Sequence, residues 1–185
     1  MARARGVRCH PERIVVCSGF AQGLALLCSV LRARTAFTVA VEAYSLPAYR
    51  DILGAHGLRL SQLAVDGNGA AVEFLTDEGA VLLTPAHQFP LGPSLAPARR
   101  AAAVSWAVQS DALVLEDDYD GEFRYDRHPL GAMQALAPDH VAYLGTAARR
   151  WPPDYVWGGS FFPRRWSSPS SPRSPEPTTP ASSSS

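Results

Sequence analysis

ALVLEDDYDGEFRY, residues 112–125, predicts a buried strand that runs directly into a group of acidic side chains. The strand is predicted over residues 112–116. Because side chains alternate along an extended chain, Asp117 and Tyr119 are expected to point to the same side. A carboxylate and a phenol placed in this way can bind adjacent positions of a heteroaromatic ring. The carboxylate would keep a ring nitrogen protonated, and the phenol would form a hydrogen bond with a ring oxygen.

Two other interpretations fit the same residues. Asp118 and Asp120, following an apolar strand, could hold a divalent metal ion, as in phosphotransferases that use an aspartate nucleophile. The acidic residues could also form a solvated loop with no ligand. Residue types alone do not separate the ring-binding site, the metal site and the solvated loop.

On both sides of this stretch, apolar strands alternate with amphipathic helices. The predicted strands cover residues 13–17, 37–41, 58–65, 80–84, 112–116 and 141–144. Continuous apolar strands separated by amphipathic helices predict an α/β fold, with a mostly parallel sheet covered by helices on both faces. In such sheets, ligands bind beyond the carboxyl ends of the strands.

Ser94 is predicted to cap a helix that runs to about Gln109. Much earlier in the chain, the first predicted strand ends at Ser18-Gly19, and another helix follows directly. The free N–H groups of the first helix would point outward and favour an anion, most simply a phosphate. The same residues also fit an ordinary turn between a strand and a helix that binds no ligand. The turn lacks the glycine spacing and the lysine of a P-loop.

The loop TPAHQFPLG, residues 84–92, separates these interpretations when it is taken together with EDDYDGEFRY and with YLGT at 143–146. In order and spacing, the three motifs resemble the MocR-type regulators of the GntR family. Those regulators join a winged-helix DNA-binding domain to a fold-type-I, class I/II aminotransferase-like domain. The resemblance extends from about Ala4 to Thr146.

The resemblance implies pyridoxal 5′-phosphate as the cofactor of a fold-type-I aminotransferase large domain. It assigns the cofactor phosphate to the backbone at Phe20 and Ala21. The pyridine nitrogen would pair with Asp117 and the 3′-oxygen with Tyr119, and His87 would lie near the ring. These cofactor-binding residues are Phe20, Ala21, Asp117, Tyr119 and His87. His87 and Gln88 would lie in the loop beside the cofactor, and Tyr44 is the candidate for ring stacking.

The chain contains 17 arginines and no lysine. In the MocR-type family, YLGT runs on into a Ser-Lys-Thr triplet whose lysine bonds the cofactor covalently, and Arg149 occupies that position here. A guanidinium stays protonated and is a poor nucleophile, so it cannot replace the lysine. We therefore predict no catalytic residue, no covalent cofactor attachment and an inactive domain. An active aminotransferase is the alternative if the true reading frame restores the lysine.

A single-base frameshift just after Ala147 would explain the missing lysine. Codons GCC GCA AGA CGT TGG can encode residues 147–151, and one A restored after GCC gives Ala-Ser-Lys-Thr-Leu. The predicted organisation is a large-domain fragment over 1–147, an out-of-frame segment over 148–163 and a disordered Ser/Pro-rich tail over 164–185. In this interpretation the fragment begins after the winged helix and lacks later sheet strands and the small domain.

Composition limits the partners further. Acidic and basic residues balance at 17 each, which argues against a nucleic-acid surface on this chain. No apolar run approaches the roughly 18 residues that span a bilayer, and the N-terminus lacks the apolar segment of a signal peptide. The cysteines and histidines lack metal-ligand spacing. We expect a cytoplasmic protein with no metal and no membrane partner, whose partners are a small amino-group ligand or amino acid and a second copy in a family-type homodimer.

Overall fold

The computed structural model describes residues 6–8, 10–119, 131–146 and 158–161. Asp120, Arg149 and the tail over 164–185 lie outside the described residues, so the interpretations that depend on them stay predictions. The same holds for most of the segment over 148–163. In the described part of the chain, no helix is long and apolar enough to cross a membrane.

Nine strands and three α-helices make up most of the described chain. The strands are β1 (Ile14–Cys17), β2 (Thr38–Glu42), β3 (Arg59–Leu63), β4 (Val65–Asp66), β5 (Gly69–Ala70), β6 (Ala80–Leu83), β7 (Leu113–Asp118), β8 (Val141–Thr146) and β9 (Gly158–Phe161). The α-helices are α1 (Phe20–Ala33), α2 (Pro47–Ala55) and α3 (Pro97–Gln109), and three short 3-10 helices cover Pro11–Arg13, Val72–Phe74 and Met133–Ala135.

Seven strands form one sheet in the order β1-β9-β8-β7-β6-β2-β3. The pairs from β8 through β7, β6 and β2 to β3 are all parallel. Helices α1 and α2 pack on one face of the sheet through Leu24, Leu27 and Leu53, and α3 packs on the other through Ala103 and Ala107. The predicted α/β fold, with a mostly parallel sheet covered on both faces, is confirmed.

Strand β9 lies between β1 and β8 and is antiparallel to both. The sequence analysis predicted no strand over these residues, so Gly158–Phe161 is an element that it missed. The physical reason is that strand pairing satisfies backbone N–H and C=O groups, which every residue except proline carries. Two neighbouring strands with open edges can therefore accept a segment that lacks the alternation expected of a strand.

Two predicted boundaries also change. Strand β7 continues past Glu116 to Asp118, so the carboxylates at 116–118 belong to the sheet and are at most 2% exposed. The solvated-loop interpretation is therefore wrong for these three residues. Helix α3 begins at Pro97 with Ala96 before it and no side-chain cap from Ser94, because a proline in the first turn already has the helical φ.

Candidate functional site

A cavity of about 390 Å³ lies at the carboxyl ends of β2, β6 and β7. This is the edge of the sheet at which parallel α/β folds bind ligands, and the volume suits a small molecule. The lining residues are Phe20, Glu42, Ser45, Leu46, Tyr49, Leu82, Thr84, Phe89, Asp117 and Tyr119. The wall thus combines aromatic and aliphatic surface with two carboxyl groups and two phenols.

The N-terminus of α1 borders this cavity. Gly19 precedes the helix with a φ of 145°, a value that favours glycine, and no side chain in the described structure caps the first turn. Gln22 turns back to accept a hydrogen bond from the Ser18 amide at 2.6 Å. The amides of Phe20 and Ala21 belong to the first turn, where N–H groups have no acceptor within the helix. Together with the helix dipole, they make this end of the cavity suitable for an anion.

Asp117 places its carboxylate at the floor of the cavity and is 1% exposed. Tyr49 of α2 lines the same cavity. Burial, followed by the negative charge of Asp117, raises the pKa of Tyr49 far above its usual range. Tyr49 therefore stays a neutral donor. Its ring lies 4.3 Å from that of Phe20, centroid to centroid, so the two aromatic groups form one wall.

Tyr119 follows the end of β7 and lines the same cavity as Asp117. Its hydroxyl lies 3.3 Å from Nδ1 of His87, which belongs to the loop after β6. The two rings are separated by 6.2 Å between centroids and inclined by 24°. His87 is not among the residues that line the cavity, and this contact lets it position the phenol of Tyr119. The alternation expected between Asp117 and Tyr119 is observed.

Glu42 is a site residue that the sequence analysis missed. Its carboxyl group accepts hydrogen bonds from the Thr84 amide at 3.2 Å, the Thr84 hydroxyl at 2.6 Å and the Gln88 side chain at 3.4 Å. Burial raises the pKa of Glu42, and these three hydrogen bonds oppose the rise. The contacts join the end of β2 to the loop after β6. Gln88 is therefore a support of the loop, with only 1% of its surface exposed.

Tyr44, the candidate for ring stacking, is 54% exposed and is absent from the cavity wall. The chain beyond β2 turns so that Leu46 and Tyr49 reach the cavity instead. Tyr49 was not identified from the sequence because its spacing with Ile52 and Leu53 indicates only the buried face of a helix. No local pattern shows that this face lies beside the carboxylate of Asp117, which follows Tyr49 by 68 positions.

The other face of β7 carries Glu116 and Asp118. The Tyr143 hydroxyl donates a hydrogen bond to Asp118 at 2.5 Å. Glu116 accepts from the amides of Met133 and Gln134 at 2.9 and 3.0 Å. Asp118, which the metal-phosphotransferase alternative requires, therefore points away from the cavity that Asp117 faces. Among the described residues, no three His, Cys, Asp or Glu side chains are grouped to hold a metal ion.

Glu116→Gln is expected to reduce the pH dependence of stability. Burial raises the pKa of Glu116 to about 7 from 4.5, against the hydrogen bonds from Met133 and Gln134. The native state therefore holds this proton more tightly than the unfolded chain, so the stabilisation is present below the ordinary pKa and is lost as the pH rises through about 7. The full effect is on the order of 3 kcal/mol.

Urea unfolding at about pH 5 and about pH 8 measures this effect as a difference between the two proteins. Glu42, whose pKa is also raised, contributes a slope of the same sign to both proteins and cancels in that difference. An equal loss of stability with pH in the wild type and the variant would contradict the assignment.

Curated relatives match most of the chain. It is 40% identical over 147 residues to the HTH-type pyridoxine biosynthesis transcriptional regulator PdxR of Corynebacterium glutamicum, a match that covers 79% of this chain and 32% of that protein. It is 32% identical over 149 residues to the probable rhizopine catabolism regulatory protein MocR of Rhizobium meliloti, covering 79% and 30% of the two chains. The chain is a relative of the MocR-type regulators. It spans about a third of the length of these relatives.

Solved aminotransferases share the fold of this chain. An archaeal alanine:glyoxylate aminotransferase superposes with a TM-score of 0.77 at 21% identity, covering 89% of this chain and 43% of that one. The kynurenine aminotransferase of Pyrococcus horikoshii gives a TM-score of 0.74 at 25% identity, covering 89% and 44%. The described domain has the fold-type-I aminotransferase architecture. No protein-family model matches the chain.

Proposed function

We propose that this domain binds pyridoxal 5′-phosphate without a covalent bond, as the aminotransferase-like domain of a MocR-type regulator. The supporting observation is a single cavity that brings together the Asp117 carboxylate, the Tyr119 phenol and the N-terminus of α1. These groups match the three polar parts of the cofactor, which are a basic ring nitrogen, a ring oxygen and a phosphate.

Each residue has a distinct task in this proposal. The amides of Phe20 and Ala21 bind the phosphate through charge-assisted hydrogen bonds. Asp117 holds a proton on the ring nitrogen, and its burial strengthens that ion pair. Tyr119, positioned by His87, binds the ring oxygen. When bound, the protonated ring would supply an electron sink for amino-group chemistry.

Inactivity rests on the sequence at position 149. The chain has no lysine, and Arg149 stands where the family has the lysine that bonds the cofactor. We propose that the cofactor and a small amino-group ligand or amino acid act here as bound signals. A frameshift after Ala147 remains our explanation of the substitution. The coding sequence tests it, because codons for 147–163 that exclude the alternative frame would contradict it.

We propose a cytoplasmic location, where transcription regulators act. We also propose that the protein partner of the chain is a second copy of itself. The apolar surface beside the cavity supports this choice. Tyr44, Phe89 and Leu91 are each at least half exposed, although they lie on the loops that follow β2 and β6. Exposed apolar groups on loops near a site are typical of a surface that another protein covers.

Removing the phosphate from the ligand is expected to weaken binding by about 10- to 100-fold. The comparison is between pyridoxal 5′-phosphate and pyridoxal, measured by equilibrium dialysis against the purified chain. The loss arises because only the phosphorylated ligand engages the first turn of α1. Inorganic phosphate should compete with the first ligand and not with the second. Equal affinities for the two ligands would contradict the assignment of the phosphate to α1.

A further inference from the structure

The loop after β6, residues 84–92, is organised around one buried side chain. Gln88 is 1% exposed, and its carboxamide donates to the Phe89 carbonyl at 2.7 Å and accepts from the Leu91 amide at 3.1 Å. Its backbone carbonyl accepts from the Gly92 amide at 2.7 Å. The second half of this loop is thus closed around Gln88, so its residues keep their places relative to that side chain.

Glu42 attaches this loop to strand β2. The residue is 3% exposed, and its carboxyl group accepts from the amide and the hydroxyl of Thr84 and from the Gln88 side chain. Thr84 begins the loop, and Gln88 organises its second half. His87 immediately precedes Gln88, so its backbone lies between two residues that one carboxyl group holds.

The Tyr119 phenol depends on the place of this loop. Its hydroxyl lies 3.3 Å from Nδ1 of His87, which is long for a hydrogen bond that involves a hydroxyl. A separation of about 3.6 Å no longer forms one, so a loop displacement of about 0.3 Å away from the phenol is enough to break the contact. Because Tyr119 lines the cavity, the loop helps to orient a hydroxyl group of the cavity wall.

We propose that Glu42 is a positioning residue, which acts through Thr84 and Gln88 to hold His87 against Tyr119. It thereby favours ligands whose ring carries an oxygen within reach of the phenol. The identity of that ligand rests on the proposed function, whereas the path from Glu42 to Tyr119 rests only on contacts within this chain. Glu42 lines the cavity itself, so a direct contact between its carboxyl group and the ligand is the competing explanation that the experiments must exclude.

Equilibrium dialysis of Glu42→Gln against two ligands tests the proposal. The substitution replaces one acceptor oxygen with an NH2 donor, so the side chain can no longer accept from Thr84 and Gln88 at both positions. Its affinity for pyridoxal 5′-phosphate should fall by about three- to tenfold, the loss expected when one hydrogen bond between neutral groups is broken. 3-Deoxypyridoxal 5′-phosphate, which has hydrogen in place of the ring hydroxyl, should bind the wild type and the variant equally to within about twofold. Equal losses for the two ligands overturn the proposal, because Glu42 would then act on the ligand directly or on the whole fold.

Glu78→Gln is the matched control. Glu78 is 8% exposed and accepts from the Ser61 hydroxyl at 2.7 Å and from the amide and the hydroxyl of Thr76 at 2.8 and 3.4 Å. It precedes β6 at the amino edge of the parallel strands, whereas Glu42 lies at the carboxyl edge. The variant changes a buried acceptor of the same kind, so it should lose stability but bind the two ligands in the same ratio as the wild type. A change of that ratio as large as in Glu42→Gln overturns the path through the loop.

A comparison without cofactor tests the contact itself. Tyr119→Phe removes the hydroxyl beside His87, which should shift the nitrogen NMR resonance of Nδ1 in the wild-type background and shift it much less in the Glu42→Gln background. Equal shifts in the two backgrounds overturn the proposal. If Glu42→Gln does not fold, Gln88→Met interrupts the same path while Glu42 keeps its bonds with Thr84, and the same comparison in that background is decisive. If the wild type binds no cofactor, the proposed function fails, and this comparison still decides the role of Glu42.

Discussion

Asp117→Ala is expected to lower the affinity of the chain for pyridoxal 5′-phosphate by about 30-fold to several thousand-fold. Truncating one partner of a buried charge pair costs about 2–5 kcal/mol, because the other charge is left without compensation. Asp117 is 1% exposed and lies in the cavity wall, so water cannot replace it easily. Equilibrium dialysis of the wild type and the variant against the cofactor measures the ratio.

Asp118→Asn is the matched control for this prediction. It changes a neighbouring carboxylate that is equally buried, but its partner is Tyr143 on the opposite face of β7. We expect its cofactor affinity to stay within about threefold of the wild type, because the Asp118 side chain lies on the face of β7 away from the cavity and can act on the site only indirectly. The metal-phosphotransferase alternative predicts instead a magnesium-dependent phosphatase activity that Asp118→Asn abolishes. Equal losses of cofactor affinity in the two variants would contradict the ring-nitrogen assignment.

The second large effect concerns the lysine. The triple variant Ala148→Ser, Arg149→Lys, Arg150→Thr restores the triplet that the MocR-type family carries after YLGT. It is expected to bond the cofactor covalently, in nearly one equivalent per chain, whereas the wild type bonds none at this position. The physical reason is that a lysine amine can lose its proton and attack an aldehyde, which a guanidinium cannot do.

Borohydride reduction followed by peptide mass analysis measures the covalent product. The absence of lysine from these 185 residues makes the assay clean, because no side chain of the wild type offers a primary amine. A matched variant, Arg124→Lys, places a lysine elsewhere and tests whether any added lysine reacts. Trapping at both positions to the same extent would show reaction without a site. Failure of the triple variant to trap the cofactor would contradict the proposed correspondence of position 149.

The sequence predicts the fold well because the fold depends on patterns that neighbouring residues share. Apolar runs such as Ala80–Leu83 have too few polar groups to face water, so a parallel sheet between helices follows from them. The same local alternation places Asp117 and Tyr119 on one side of the strand. Their approach to α1 follows from a topological rule, since the carboxyl ends of parallel strands share one edge.

The contacts within the site could not be predicted in this way. Glu42 and Thr84 bond across 42 positions, and His87 reaches Tyr119 across 32. Each of these side chains has an ordinary local environment in the sequence. Their meeting depends on the register of β2 against β6 and of β6 against β7, which local periodicity does not specify. Strand β9 was missed for a related reason, because its pairing depends on backbone groups of β1 and β8.

The most direct test of non-covalent cofactor binding is dialysis of the wild-type chain with pyridoxal 5′-phosphate, with and without borohydride. The account predicts saturable binding of one cofactor per chain that dialyses away completely after reduction, apart from any adduct at Met1. Asp117→Ala should lose this binding under the same conditions. The absence of saturable binding, or cofactor retained by the chain at any position other than Met1, would contradict the account.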